Sequence, residues 1–242
     1  MSIDAEKIVT MVYFGALGGR IEGRYLKQKK TTNPAVLILP PDPRYKGTIN
    51  NDIVKILEQV FQNCGFTTLA INYPGCGNSE GVFKNTLDGV LSAALALDWL
   101  QSQNTEASHL WIAGYSFGAY VAADLVTRRP ELEKFVFVSP LIEQYDFSFM
   151  CPSLGDGLVI CGEKDDFING NDLAKLVNKM NEGYNVEVTN ITVSGANHRY
   201  EDKKEQLTAE LQNYINTTLA MRISKPIKKK RRKRQKKEFS ID

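Results

Sequence analysis

The sequence predicts an α/β fold with a mostly parallel sheet of about eight strands and helices on both faces. Short runs rich in β-branched and aromatic residues alternate with longer runs whose apolar residues recur at helical spacing. This alternation starts with the apolar run at residues 35–39 and continues to residue 221. Because parallel strands are joined by long crossover connections, repeated strand and helix units place their helices against both faces of one sheet.

The predicted elements follow one another in a regular order. An antiparallel hairpin is expected first, at residues 8–14 and 20–26. The remaining strands are predicted at residues 35–39, 67–72, 109–113, 134–138, 157–161 and 186–193. Helices are predicted at residues 53–61, 90–100, 117–128, 173–180 and 204–221. Loops at the carboxyl ends of parallel strands gather along one edge of the sheet, where ligands bind in such folds.

Length and composition fit one domain with a buried core. The chain has 242 residues, 43% of them hydrophobic, which excludes collagen-like, coiled-coil and wholly disordered chains. The four cysteines form no Cys-x-x-Cys pair and the two histidines are distant, so we expect no disulfide framework, metal or cofactor. No apolar run approaches the ~20 residues that span a bilayer, and residues 1–10 lack a secretory-signal pattern. We therefore expect a cytoplasmic protein.

The segment Gly114-Tyr115-Ser116-Phe117-Gly118 lies between a predicted strand and a predicted helix. A Gly-x-Ser-x-Gly sequence in that setting makes a turn so sharp that the serine adopts an unfavourable backbone conformation. Side chains at positions 114 and 118 would collide with neighbouring elements. The turn lifts the serine hydroxyl above the sheet edge and points the positive end of the helix at it. The pattern predicts that Ser116 is a nucleophile, and a purely structural turn is the alternative.

A serine hydroxyl needs a base to accept its proton, and the base is usually an imidazole held by a carboxylate. His109 begins the strand that leads to Ser116, so it is expected at the far end of that strand. His198 follows a predicted strand that ends at residue 193, so it is expected on the same edge as Ser116. By elimination, His198 is the predicted base. The alternative for an isolated loop histidine is a solvated surface residue.

The carboxylate that orients the base is expected in the turn after residue 161. Glu163, Asp165 and Asp166 all lie in this turn. We choose Asp165, with Glu163 and Asp166 interpreted as solvated loop charges. The resulting chain order of serine, acid and histidine matches the nucleophile-elbow hydrolases and differs from the orders of two common protease families.

Acyl transfer also needs N–H donors that point at the oxyanion of the tetrahedral intermediate. The N–H of Phe117 is the first expected donor, because it follows the nucleophile at the start of a helix. The second should come from the loop after the first parallel strand, Pro40-Pro41-Asp42-Pro43. Since proline has no N–H, Asp42 is the expected donor. Its carboxylate must then point away from the developing negative charge.

These motifs resemble the α/β-hydrolase superfamily over almost all of residues 1–221. The chain is similar to a compact, lidless bacterial group of α/β hydrolases, related to dienelactone hydrolases and serine aminopeptidases. That group reads His-Pro-His-Pro, Gly-Gly, Asn-Phe-Arg-Gly-x-Gly-x-Ser-x-Gly, Gly-x-Ser-x-Gly, Gly-x-x-Asp and a final His. The matching segments here are Pro40-Pro41-Asp42-Pro43, Lys46-Gly47, residues 72–81, residues 114–118, residues 162–165 and His198. The resemblance selects Asp165 over Asp166.

Among the positions where this chain departs from the group's pattern, three bear on the oxyanion loop and the glycine-rich loop. Pro40 and Asp42 stand where the group has histidines, and Pro74 stands where it has an arginine. The resemblance also implies no cap domain, and residues 139–156 leave room only for a short loop there. In that loop, Phe147, Phe149 and Met150 are candidates for the wall of the site or for the core. We expect an open, shallow site suited to small acyl substrates.

Charge divides the chain into two parts. Residues 225–242 carry 10 basic and 2 acidic side chains, which leaves 20 basic and 26 acidic side chains before them. We therefore expect an α/β-hydrolase domain at residues 1–224 and a disordered basic tail at residues 225–242. Nine of the ten residues 228–237 are cationic, which favours binding to RNA, DNA or anionic lipid. A solvated tail is the alternative.

Two functions remain from the sequence. One is a serine hydrolase that cleaves a small carboxylic ester or thioester through an acyl-enzyme, with Ser116, His198 and Asp165 as its catalytic residues. The other is a non-catalytic protein with the hydrolase fold that acts through its basic tail. The presence of serine, acid and histidine in one chain favours the first.

Overall fold

The computed structural model describes residues 9–16 and 18–224, and over those residues it contains one eight-stranded sheet and five α-helices. The strands are β1 (Val9–Ala16), β2 (Gly19–Leu26), β3 (Ala35–Leu39), β4 (Thr67–Ile71), β5 (Leu110–Tyr115), β6 (Lys134–Val138), β7 (Asp156–Gly162) and β8 (Val188–Val193). The helices are α1 (Asp52–Asn63), α2 (Thr86–Gln103), α3 (Phe117–Arg128), α4 (Gly170–Met180) and α5 (Lys204–Ser224).

The strands follow the order β1-β2-β4-β3-β5-β6-β7-β8 across the sheet. The β1–β2 hairpin is antiparallel and joins β4 in antiparallel register, whereas the pairs from β4 to β8 are parallel. The predicted α/β fold class is confirmed. The carboxyl ends of the parallel strands therefore lie along one edge of the sheet, called here the carboxyl edge, and their amino ends along the opposite edge, the amino edge.

Helices cover both faces of the sheet because successive residues of a buried strand point in opposite directions. In β3, Leu37 and Leu39 pack into one core with α2, α3 and α4, and Val36 and Ile38 pack into the other with α1 and α5. All five residues of β3 are buried. The continuous apolar run seen in the sequence is thus the signature of a central strand.

Helix α2 begins before its predicted start at residue 90. Asn85 accepts a hydrogen bond from the N–H of Leu87, and the Asp88 carboxylate accepts one from the N–H of Asn85. This capping box satisfies N–H groups of the first turn, so the helix extends back to Thr86 without an apolar pattern. Polar capping residues, which an apolar periodicity does not register, decide where this helix starts.

The connection between β6 and β7 is a short loop with one 3-10 turn, Ser148–Met150, and the described residues contain no cap domain. Phe147 and Met150 are buried in the core, while Phe149 is 41% exposed. No described helix combines the length and the apolar character that a bilayer span requires. The predicted basic tail, residues 225–242, lies outside the described residues.

Candidate active site

Ser116 lies in the turn between β5 and α3, with φ 57° and ψ −118°. A positive φ is strained for a residue with a side chain, so the surrounding structure must hold this turn in place. A Cβ atom on Gly118 would meet the carbonyl oxygen of Leu39, and one on Gly114 would meet the carbonyl oxygen of Gly118. Only glycine permits these close approaches. The turn at the carboxyl edge is therefore the sharp one that the sequence predicts.

Ser116, His198 and Asp165 come together at the carboxyl edge although they are distant in the chain. His198 Nε2 is 3.2 Å from Ser116 Oγ. His198 Nδ1 is 2.9 Å and 3.0 Å from the two carboxylate oxygens of Asp165. An imidazole protonated at Nδ1 donates to the carboxylate, and its Nε2 then accepts from the serine hydroxyl. Each predicted member of the set is within hydrogen-bond distance of the next.

The surroundings of Asp165 hold its carboxylate in one orientation. Its side chain has no exposed surface, and one of its oxygens accepts a hydrogen bond from the N–H of Phe167 at 3.1 Å. The Phe167 ring then packs edge-on against the imidazole of His198, with 4.9 Å between ring centroids. The same short turn therefore orients the acid and supports one side of the histidine ring.

The loop that carries His198 is fixed from two further directions. Tyr115, next to the serine, donates its hydroxyl to the carbonyl of His198 at 2.9 Å. Glu163 accepts hydrogen bonds from the N–H of Gly195 at 2.7 Å and from the Ser194 hydroxyl at 2.9 Å. These hydrogen bonds lower the pKa of the Glu163 carboxyl. Glu163 is exposed, but it joins the acid loop to the histidine loop and is more than the solvated charge expected for it.

The loop after β3 lies beside the serine turn, as the close approach of Gly118 to Leu39 requires. Phe117 is the first residue of α3, so its N–H has no acceptor within the helix. The buried carboxylate of Asp42 accepts hydrogen bonds from the N–H and the guanidinium of Arg44. The side chain is thus bound to a cation of its own loop. The oxyanion-hole roles of Phe117 and Asp42 stay predictions.

Contacts from outside its own segment fix the glycine-rich loop after β4, residues 72–81, and the sequence pattern did not predict them. The buried carboxylate of Glu22 accepts from Asn72 Nδ2 at 2.7 Å and from the N–H of Asn78 at 2.8 Å. The Ser79 hydroxyl donates to the Asn72 carbonyl and accepts from the Glu22 N–H. Asn72, Asn78 and Ser79 match the family motif, but Glu22 lies in the distant hairpin. No local pattern marked it as their partner.

Together the fold and the site define a class of protein. The site has the arrangement of nucleophile-elbow hydrolases. The serine lies in a strained strand-to-helix turn, the acid lies in the loop after β7, and the histidine lies in the loop after β8. Among the described residues, no group of three histidine, cysteine or acidic side chains is placed to hold a metal ion.

Comparisons with known proteins lead to the same class. The sequence model of the family Hydrolase_4, described as serine aminopeptidase, S33, matches residues 53–154. An uncharacterized protein of Rickettsia prowazekii is 38% identical over 210 residues, which cover 85% of this chain and 88% of that protein. A crystal structure from Agrobacterium tumefaciens, of a protein of unknown function proposed to be an α/β hydrolase, is also 38% identical. Its TM-score is 0.85, and the match covers 90% of this chain and 100% of that chain.

A more distant solved structure shares the fold. It is an α/β serine hydrolase without a lid from Xanthomonas campestris, 20% identical, with a TM-score of 0.76 over 87% of this chain and 94% of that chain. The chain belongs to the α/β-hydrolase superfamily. This confirms the resemblance that the motifs indicate, including the absence of a lid over the described part of the chain.

Proposed function

We propose that this protein is a serine hydrolase that cleaves a small carboxylic ester or thioester through an acyl-enzyme intermediate. The observation that carries the proposal is the continuous chain of contacts from Asp165 through His198 to Ser116, with distances of 2.9 Å and 3.2 Å. A hydroxyl so connected can lose its proton to the imidazole as it attacks a carbonyl carbon. The buried carboxylate then stabilises the imidazolium that forms.

The reaction proceeds in two halves. Ser116 Oγ attacks the carbonyl carbon while its proton moves to His198 Nε2, and the carbonyl oxygen becomes an oxyanion that accepts from the N–H groups of Phe117 and Asp42. His198 then gives the proton to the leaving alcohol or thiol, and the acyl group stays on Ser116. A water molecule, deprotonated by His198, attacks the acyl-enzyme, and Ser116 recovers its proton as the acid departs. The connection between β6 and β7 is a short loop and the described residues contain no cap domain, so we expect an open, shallow site with few contacts to a substrate beyond its acyl group.

The direct test is hydrolysis of short p-nitrophenyl esters together with labelling by a fluorophosphonate probe. We expect the wild-type protein to do both, and Ser116→Ala to lose labelling and to lower kcat by about 10⁴-fold or more. Ser102→Ala is the matched control, because Ser102 is exposed at the end of α2 and donates its hydroxyl to the Trp99 carbonyl in the same helix. A wild-type protein inert towards a broad ester and thioester panel and towards the probe would instead favour the non-catalytic alternative.

We also propose that residues 228–237 bind a polyanion. The nine cations in these ten positions support it, because each cation that contacts a phosphate releases a condensed counterion. Binding of the full chain to single-stranded RNA, duplex DNA and anionic vesicles should weaken steeply with salt. A chain truncated after residue 224 should lose most of that binding and keep its esterase activity. Equal binding by the truncated and full chains would refute the proposal.

A further inference from the structure

The loop proposed to supply an oxyanion donor also carries a buried negative charge. Asp42 is 4% exposed, and one residue, Arg44, provides the four hydrogen bonds that its carboxylate accepts. The Arg44 N–H lies 2.8 Å from Oδ1, Nε lies 3.0 Å and 3.1 Å from the two oxygens, and Nη2 lies 2.6 Å from Oδ2. A buried carboxylate without such a partner would be strongly disfavoured in its charged form.

The charge of Asp42 reaches groups on two other loops. Burial raises the pKa of the Tyr73 and Cys76 side chains, in the loop after β4, and of Tyr145, in the loop after β6. The negative charge of Asp42 raises these three pKa values further. The Tyr73 hydroxyl is buried and makes no hydrogen bond to any described residue. A second negative charge close to Asp42 would be opposed by this carboxylate if no cation offset it.

The Arg44 side chain also contacts residues other than Asp42. Its guanidinium lies over the ring of Phe83 at 5.9 Å from the centroid, and its Nη2 donates to the Tyr145 hydroxyl at 3.3 Å. The Tyr145 ring packs against Phe117, which follows the serine, with 5.6 Å between centroids. The hydrogen bonds and charge of Asp42 also raise the pKa of Arg44, so the guanidinium stays charged. Three loops of the carboxyl edge therefore fix the cation on this carboxylate.

We propose that Arg44 is a positioning residue that neutralises Asp42, so that the loop after β3 can offer its N–H to an oxyanion without an opposing charge. The inference rests on the proposed serine-hydrolase function. Arg44 does not touch the reacting atoms in this scheme and acts only through Asp42. Removal of the guanidinium alone should therefore slow the chemical step, and removal of both charges should restore most of it.

The experiment measures kcat and KM of the full chain for one p-nitrophenyl ester at about pH 8, where a carboxyl in contact with water is ionised. The Arg44 side chain is about half exposed, so its shortening to glutamine gives water access to the Asp42 carboxylate. Arg44→Gln should lower kcat by about 100-fold with a smaller change in KM, since the uncompensated charge opposes the transition state more than substrate binding. The double variant Asp42→Asn/Arg44→Gln should return to within about tenfold of wild type. Arg44→Lys keeps a positive charge but loses the two-point contact, so its kcat should lie between those of Arg44→Gln and wild type. Circular dichroism and thermal unfolding check that each variant is folded.

Arg20→Gln is the control, because it removes an arginine from a pair with Glu80 in which both side chains are about half exposed. It should change kcat by less than about twofold. A double variant as slow as Arg44→Gln, or an Arg44→Gln variant as fast as wild type, would overturn the inference while the hydrolase function stands. If Arg44→Gln does not fold, the double variant and Arg44→Lys test the inference instead. A double variant with a kcat far below that of wild type would then overturn the inference. Wild-type protein without esterase activity or probe labelling refutes the proposed function itself and the inference with it.

Discussion

The two histidines of this protein lie near opposite edges of one sheet, and each is paired with a carboxylate. At the amino edge, His109 Nδ1 lies 3.0 Å from Glu133, and the two side chains are 28% and 35% exposed. At the carboxyl edge, His198 Nδ1 lies 2.9 Å from Asp165, whose side chain has no exposed surface. The pair geometry is nearly the same at both edges. The difference lies in the burial of the acid and in the serine hydroxyl 3.2 Å from the second nitrogen of His198.

A histidine–carboxylate pair is therefore not by itself a sign of catalysis. A pair that is only partly buried, such as His109 and Glu133, is still reached by water and contributes little. A buried carboxylate instead fixes the tautomer and orientation of the ring, and the strained turn presents a hydroxyl to the other nitrogen. In this sheet the hydroxyl, the imidazole and the buried carboxylate meet at the carboxyl ends of the parallel strands, where ligands bind in such folds.

The largest effect is expected when the two imidazoles are removed one at a time. We expect His198→Ala to lower kcat for a p-nitrophenyl ester by about 10⁴-fold or more, because no base then accepts the serine proton. His109→Ala should change kcat by less than about twofold. Steady-state kinetics of both variants measure this directly. Comparable losses of kcat in His198→Ala and His109→Ala would mean that the position of a histidine at the carboxyl edge does not determine its role in catalysis.

The second comparison removes the negative charge from each acid but keeps its shape. Asp165→Asn should lower kcat by about 10³- to 10⁴-fold, because an amide allows the wrong tautomer of His198. Glu133→Gln at the amino edge should leave kcat within about twofold of wild type. Asp166→Asn serves as a neighbouring control, since Asp166 lies exposed in the same turn as Asp165. A large loss of kcat in Asp166→Asn with a small loss in Asp165→Asn would show that Asp166, and not Asp165, orients His198.

The smallest effect is expected at Glu163, which joins the acid and histidine loops. Glu163→Gln should lower kcat/KM by about tenfold or less, because Gly195 and Ser194 lose a charged acceptor. Hydrogen bonds lower the pKa of Glu163 in the folded chain, so its contribution to stability is present above the unfolded pKa and lost as the pH falls through the folded pKa. The difference in Tm between wild type and variant should therefore shrink as the pH is lowered below about 4. A Tm difference that grows on acidification would contradict this role.

Most of the fold could be predicted because its signals are local. The apolar run of β3 and the strand-to-helix turn around Ser116 each depend on neighbours within a few residues. The start of α2 was missed because a capping box at Asn85, rather than an apolar period, sets it. A pattern of apolar spacing cannot register the polar contacts that begin a helix.

The candidate site was only partly predictable. Ser116 follows from a motif and His198 from the presence of a single alternative histidine, whereas the choice of Asp165 over Asp166 needed the family resemblance. The structure brings the chosen three together, and their catalytic roles stay predictions for the experiments above. The partner of Asp42 could not be foreseen, because an aspartate two residues before an arginine is as compatible with two solvated charges as with a buried pair.

The alternation of strands and helices, the sharp serine turn and the residue types available for chemistry follow from local sequence, because backbone sterics and apolar periodicity act over short distances in the chain. The folded arrangement sets which acid is buried, which histidine meets the serine across 82 positions and which cation lies against Asp42. Burial and charge pairing depend on groups that the sheet brings together from distant segments. Their energies are set by the folded surroundings and not by the residues on either side.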